Sequence, residues 1–394
     1  MTSPIARPAD APVARVPTLA MAAATGMAVA NIYYNQPMLG LVERDMPGPL
    51  AAMLPTVTQL GYALGLVLIL PLGDLVERRR LIVVQFGVLA LALALVAAAS
   101  TAWLLLVAAA AVGAAATVAQ QIVPLAATLA PAERRGAVVG SVMSGLLCGI
   151  LLSRTVSGLV AAHAGWRVMF GLAVPIALFA GGLMAVRLPV SRPESALRYR
   201  ALIASLAELW RAYPELRSGA LSQGLLFGAF SIFWSVLALH LQEPRFAMGS
   251  AAAGLFGVIG VVGVAAAPLA GRIADRHGSR PMIVAGAVTV LLSWLIFFVW
   301  NALAGLVLGV ILLDFGVQVA LVSNQHVIYA LRPEARARLN TVFMTVMFLG
   351  GALGSFVAAL AWANGGWHAV AGAGAIAASG AVLIQLRQSY RSWR

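Results

Sequence analysis

Lysine is missing from the 394 residues, so all 26 basic side chains are arginines, set against 13 acids for a formal net charge of +13. Charged residues make up only 10% of the chain, where a soluble domain carries about 25%. That shortage excludes an ordinary soluble enzyme, and it excludes a disordered chain, which needs polarity to stay open. A lone cysteine, Cys148, excludes an intramolecular disulfide framework. No His, Cys, Asp and Glu cluster with metal-ligand spacing appears either. No phosphate-cradling G-x-x-x-x-G-K loop is present, so neither ATP-driven work nor any cofactor is implied. The basic excess does not point to nucleic acid, because the arginines sit singly or in short clusters between long apolar runs. What fills the chain is hydrophobic residues, at 61%.

Runs of bilayer length fall at 18–40, 50–73, 81–100, 103–130, 136–160, 168–186, 218–241, 250–270, 281–300, 302–330, 340–362 and 367–386. About 20 apolar residues cross a hydrocarbon core as a helix. In lipid every backbone N–H and C=O needs an internal partner, so an open sheet is excluded. The Ala28-Val29-Ala30 sequence resembles a signal-peptide cleavage site. The apolar stretch runs on past it into Ile32, Tyr33 and Tyr34, which favours a retained first span.

Counting arginines loop by loop places 22 on one side of the membrane and three, Arg44, Arg167 and Arg245, on the other. Arg154 alone falls inside a span. By the positive-inside rule both termini are cytoplasmic and the number of spans is even. The longest polar stretch, 187–217, carries Leu202, Leu206, Leu209 and Trp210 at helical spacing, which predicts an amphipathic helix on the cytoplasmic membrane face.

The two flanking sets of six spans repeat. Ala130-Pro131-Ala132-Glu133-Arg134-Arg135 precedes the fifth span as Arg332-Pro333-Glu334-Ala335-Arg336 precedes the eleventh, and Gly165-Trp166-Arg167 matches Gly366-Trp367-His368. The expected fold is therefore an all-α membrane protein of twelve transmembrane helices in two pseudo-symmetric six-helix bundles. A tail at 1–17 leads to a bundle at 18–186, a linker at 187–217, a bundle at 218–386 and a tail at 387–394. Two parallel six-span halves around a midplane site is a transporter architecture.

The loop after the second span of each half carries a further signal of form G-x-x-x-D-R-x-G-R-R. The second copy has Gly271, Asp275, Arg276, Gly278 and Arg280. The first copy, around Gly73, retains Asp74, Arg78 and Arg79 but has Leu70, Leu75 and Glu77 at the other marked positions. With these motifs the chain resembles the major facilitator superfamily, and within it the bacterial twelve-span branch of drug, sugar and nucleoside exporters. Asn31 to Pro37, Ser153 to Gly158 and Leu313-Asp314-Phe315-Gly316 add to the likeness. The resemblance implies a multi-pass protein of the bacterial inner membrane that exports a small organic molecule by proton antiport. Two departures leave antiport implied by the branch and not by these motifs, and the first of them favours a uniporter or a proton-coupled importer of the same fold. Ala109 stands where an Arg often precedes Gly113 in span four, and Gly140, Gly145 and Gly149 in span five lack the proline of the antiporter signature. From another class, a membrane-embedded sensor or channel is the alternative; an enzyme is not expected. The expected partners are a small-molecule substrate, protons and the lipid bilayer, and with both halves in one chain a monomer suffices.

Asp314 is the one acid deep in any expected span, and a charge near the bilayer centre costs roughly 2.5–3.5 kcal/mol on insertion scales. Protonation or an Arg partner removes that cost, so Asp314 leads as the proton-coupling candidate, the alternative being a static structural pair. Arg154 either binds an anionic substrate group, pairs with Asp314 or snorkels to the headgroups. Asn31, Tyr34 and Asn35 share one face of the first span by their i, i+3, i+4 spacing. They join Gln59, Tyr62, Gln120, Gln121, Gln223, Phe227, Trp234, Gln318 and Gln325 as candidate substrate contacts. Amides and aromatics suit a ligand with an apolar body and a few hydrogen-bonding groups, although packing and interhelical bonding use the same residues. Gly73, Asp74, Arg78, Arg79, Gly271, Asp275, Arg276, Gly278 and Arg280 are the gating candidates. Their carboxylates accept from arginines and helix N-termini in one state and release them in the other; the alternative is that the arginines only set topology. His240 and His326 are expected to be ordinary solvated histidines near the interfaces.

Overall fold

The computed structural model describes residues 17–190, 198–260 and 278–392. Every regular element among the described residues is helical, and the fold is the twelve-helix, two-bundle architecture expected above. The first span comes in two pieces, Thr18–Ala30 and Asn35–Asp45. Pro37 lacks an N–H, and its ring crowds the carbonyl four residues back. The backbone responds with shorter-range bonds: Asn31 N to Ala28 O at 3.4 Å, Ile32 N to Val29 O at 3.3 Å and Tyr33 N to Ala30 O at 3.1 Å. These are the i to i−3 bonds of a tighter helix with three residues per turn.

The second span combines Leu54–Leu68 with a tight turn at Leu70–Asp74. Arg78–Ala97 is the third. The fourth is Ala102–Ala116 followed by Val118–Leu129, and Thr101 caps its start by accepting from Leu104 N at 3.3 Å, as a hydroxyl before a first turn does. Arg135–Ala164 and Trp166–Arg187 complete the first half. In the second half come Pro214–Leu241, the described start of the eighth span at Ser250–Ile259, then Ser279–Val299 and Leu303–Leu331. The eleventh and twelfth spans run from Arg336 to Ser392 and are separated at Gly365 and Gly366, whose backbone leaves the helical region.

The halves pack by one scheme. Span one lies on span five as span seven lies on span eleven, and span three lies on span six as span nine lies on span twelve. Glycines set the first of these contacts in both halves. A Cβ on Gly26 would meet the Gly145 carbonyl, and Cβ atoms on Gly350 and Gly354 would meet the Gly224 and Gly228 backbones. Backbones this close are the mark of small-residue crossings in membranes, where dispersion and not water exclusion drives association. Leu64, Leu91, Trp103 and Leu353 are more than half exposed on the outside, as side chains that face lipid are.

The linker helix, Tyr199–Ala212, differs from the expectation in what covers its apolar face. Leu206 and Leu209 pack with Leu216, Ala220, Leu339 and Phe343 of the second half, so protein takes the place assigned to lipid. At its other end the Tyr199 hydroxyl donates to the Leu68 carbonyl of the first half at 2.8 Å.

The two halves touch at the membrane face away from this linker. Arg44 Nη2 donates to Gln242 Oε1 at 2.6 Å, Ser250 Oγ to Gly158 O at 3.2 Å, and Thr155 Oγ1 to Gly254 O at 3.0 Å. At the linker face they diverge around a cavity of about 370 Å³.

Candidate functional site

Arg154 is 1% exposed. It belongs to the first half, and the side chain turns into the seam between the halves, not outward to headgroups. Burying a guanidinium costs several kcal/mol unless its surroundings compensate. Its Nε donates to Gln36 Oε1 at 2.7 Å. The planar cation lies 4.0 Å from the Trp234 ring centre, 4.8 Å from Tyr33 and 5.3 Å from Phe230, the arrangement in which ring quadrupoles attract a desolvated cation. Nη2 is buried without a hydrogen-bond partner. Trp234 Nε1 in turn donates to Asp314 Oδ1 at 3.4 Å. Arg154 and Asp314 therefore form no direct ion pair. Trp234 is their shared neighbour, and the two charges are near enough to act on each other.

The unwound turn of the first span explains which of its residues reach this cluster. At three residues per turn Tyr33 and Gln36 stack on one side, and both face Arg154. The triplet expected to share a face is divided. Asn31 Nδ2 donates back to Met27 O at 2.7 Å, Tyr34 meets Phe170 edge to face at 6.5 Å, and Asn35 Nδ2 donates to Thr58 Oγ1 at 3.1 Å.

Just beside the charged cluster a polar bridge joins the halves. Gln59 Nε2 donates to Ser355 Oγ at 2.8 Å and accepts from Ser231 Oγ at 3.1 Å, while Ser235 Oγ donates to Ser355 Oγ at 3.0 Å. Tyr62 packs on Phe348 at 4.2 Å and Phe227 on Phe348 at 5.1 Å, so Gln59, Tyr62, Phe227 and Trp234 converge at the seam.

The remaining amides lie elsewhere. Gln120 Nε2 donates to Tyr62 OH at 3.2 Å. Gln121 Nε2 donates to the Ile69 and Leu70 carbonyls at 3.2 and 3.1 Å, which satisfies groups freed at the end of span two. Gln223 accepts from Asn324 at 3.3 Å. Gln325 donates to Asn340 Oδ1 at 3.3 Å, and Gln318 is partly buried on the tenth span. Of the candidate glutamines, Gln120 and Gln121 line the cavity. Tyr329, Arg336, Arg338 and Asn340 face them across it, and Leu202 and Leu206 of the linker helix lie at its edge.

Of the gating candidates, Asp74 accepts from Arg78 Nη2 at 3.2 Å, and Arg78 Nε donates to the Gly73 carbonyl at 3.0 Å. In this conformation the first loop motif closes on itself. A Cβ on Gly73 would strike the Gln121 amide, so glycine lets span four support the turn. Arg79 is partly buried beside it. Gly278 has φ 87°, a region that strains any side chain, and Arg280 lies in the first turn of the ninth span behind it. Gly271, Asp275 and Arg276 lie outside the described residues. His240 differs from its expected solvated state. It is 0% exposed, bonded through Nε2 to Asn301 Oδ1 at 2.9 Å and stacked on Trp367 at 3.9 Å.

Tyr33, Gln36, Ser231, Ser235 and Ser355 are site residues the sequence reading left out. Pro37 was the available signal for the first two, because a proline unwinds the turn before it. Serines in apolar helices carry no such mark.

The sequence profile of the Major Facilitator Superfamily matches residues 19–263 and 219–391. The Escherichia coli (strain K12) protein described as putative uncharacterized transporter YgaY is 42% identical over 94% of this chain and 95% of its own length. The probable transporter SCO4007 of Streptomyces coelicolor is 35% identical over 90% of this chain and 84% of its own. A crystal structure of the nucleoside transporter NupG superposes with a TM-score of 0.75 at 12% identity, covering 94% of this chain and 98% of that one.

Proposed function

The chain belongs to the major facilitator superfamily and is a secondary membrane transporter; from that premise we propose that it exports a small organic molecule by alternating access, in exchange for protons. The termini, the linker helix and the open cavity are taken as cytoplasmic, following the arginine bias. The bonds between the halves at the opposite face then form the periplasmic seal of an inward-open state, and one chain is the working unit. We place the protein in the bacterial inner membrane.

The observation that carries the proposal is the cluster at the seam. Arg154 comes from one half, Trp234 and Asp314 from the other, and the acid is bonded only by an indole N–H among the described residues. An acid held this lightly beside a buried cation has two occupiable charge states, and each biases the halves differently. Rocking of one half against the other then couples proton passage to substrate passage. The driving term is sufficient. One charge crossing 100 mV is worth about 2.3 kcal/mol, a concentration ratio of roughly fifty.

The test is uptake into everted membrane vesicles of compounds chosen by a screen in an efflux-deficient host. Wild type should accumulate substrate when a pH gradient is imposed, and a protonophore should abolish the accumulation. Asp314→Asn should lose gradient-driven accumulation at least about tenfold, while exchange at equal pH continues. Normal accumulation by Asp314→Asn would refute the coupling role. Ala109, where an arginine is common in the branch, favours a second reading without proton coupling. Under that reading, wild-type uptake proceeds to equilibrium and ignores the protonophore.

A further inference from the structure

We infer that the transported molecule is an organic anion with an apolar or aromatic body, drawn into the cavity at the linker face by Arg338 and its neighbours. This inference names the substrate class for the transport reading above and rests on it. The cavity has about 370 Å³, within the roughly 300–1,000 Å³ typical of small-ligand pockets. Its walls are largely apolar, with Val123 and Pro124 from the first half opposite Leu202 and Leu206 of the linker.

The charges on those walls are unequal. Three arginines, Arg78, Arg336 and Arg338, meet one acid, Asp74. Asp74 is already engaged by Arg78. Arg336 has its Nε on the Tyr329 carbonyl at 3.1 Å, a neutral partner that leaves the guanidinium without a counter-charge. Arg338 is partly buried at the wall and makes no hydrogen bond or ion pair among the described residues; the acid that feels its charge, Glu334, is exposed and bonded to Arg332.

At the seam the charges are equal in number, Arg154 against Asp314, but the cation is the one with an unused donor: its Nη2 is buried and unpartnered, while Asp314 holds the Trp234 N–H. In the cavity wall and at the seam alike, arginines carry unspent donors. A cleft with low-dielectric walls focuses such a field and concentrates ions of the opposite sign, whereas an organic cation would enter against it. The oily walls and the rings of Trp234 and Phe230 suit the remainder of the molecule.

Naphthylacetate, naphthylmethylammonium and naphthylmethanol share one ring system and differ in charge, which makes them suitable probes. They are titrated calorimetrically against the full-length protein in phosphatidylcholine nanodiscs, at low and at high salt. Naphthylacetate should bind, more weakly at high salt because screening shortens the field. The other two should bind at least about tenfold less well. Arg338→Gln should weaken naphthylacetate about tenfold, and Arg338→Lys should recover most of that loss. Arg135→Gln, at an exposed position that starts the fifth span outside the cavity walls, should change nothing.

Equal or tighter binding of the cation or the neutral compound overturns the inference, as does naphthylacetate binding that ignores Arg338→Gln. Loss of naphthylacetate binding when phosphatidylglycerol is added to the discs also overturns it, because the occupant would then be a lipid headgroup. Counterflow of labelled naphthylacetate in proteoliposomes at equal internal and external pH separates this inference from the transport reading. Arg338-dependent binding without counterflow retains the anion site and refutes transport. Counterflow of the cation alone retains transport and refutes the anion.

Discussion

Gln36 is the residue that permits Arg154 to stay buried. The guanidinium has rings on its faces and one strong bond in its plane, to Gln36 Oε1 at 2.7 Å. Gln36→Leu keeps the bulk and removes the acceptor, which leaves a buried donor of a charged group unmatched. The expected cost is about 1–3 kcal/mol, read as a lower unfolding temperature of the purified protein. An unchanged temperature would show that Arg154 has another partner to turn to. Asp314 was legible from sequence because an acid in an oily run is costly wherever the helix places it. Arg154 was legible for the same reason, but its surroundings were not. Two lone charges inside spans suggested direct pairing with Asp314 as one option, and the structure interposes Trp234.

At the scale of the element, the break in the first span decides which side chains reach the seam. Regular α-helical spacing puts Asn31, Tyr34 and Asn35 together, and that assumption fails where the backbone tightens ahead of Pro37. Pro37→Ala restores the missing N–H and removes the crowding on the Tyr33 carbonyl. The span should then wind through 31–34 as an α-helix and swing Tyr33 and Gln36 away from Arg154. Expression should be retained while transport falls at least several-fold, and wild-type transport rates in Pro37→Ala would show that the turn does not set the site. Helix existence and number were readable from hydropathy, because lipid admits no other backbone solution. Partners of the neutral amides were not readable. Gln59, Gln121 and Gln223 look alike in sequence, yet one bridges the halves, one closes a helix end and one bonds within its own half. The choice depends on which helices lie adjacent, a property of packing and not of local spacing. The linker helix shows the same limit, since an amphipathic face is equally content on lipid or on protein.

For the molecule as a whole, the alternating access proposed above requires the contacts opposite the cavity to part. A Cβ on Gly40 would lie within 2.5 Å of the Gln242 amide, and Gln242 also holds Arg44. In a Cys148→Ser background, cysteines at Gly40 and Gln242 should be joined by a short bifunctional methanethiosulfonate. Transport should stop on joining and return on reduction, while naphthylacetate still reaches the opposite face. Full transport by the joined protein would mean that this face need not open. The repeat of the two halves was visible in the loop motifs, and it recurs in how spans one and five, and seven and eleven, cross at glycines. Which face stands open was not visible, because one sequence serves every stage of the cycle.

The unequal anchoring of Tyr199–Ala212 has a mechanical corollary. A cluster of leucines glues this segment to the later bundle, whereas the earlier one holds it by one hydrogen bond, from the Tyr199 phenol, and by packing on the Leu70–Asp74 turn. If the bundles rock as proposed, the lighter attachment should part first and the segment should travel with the later bundle. It would sweep across the doorway like a draught curtain on a moving rail, so an antibody fragment gripping it should jam the cycle without touching the passenger.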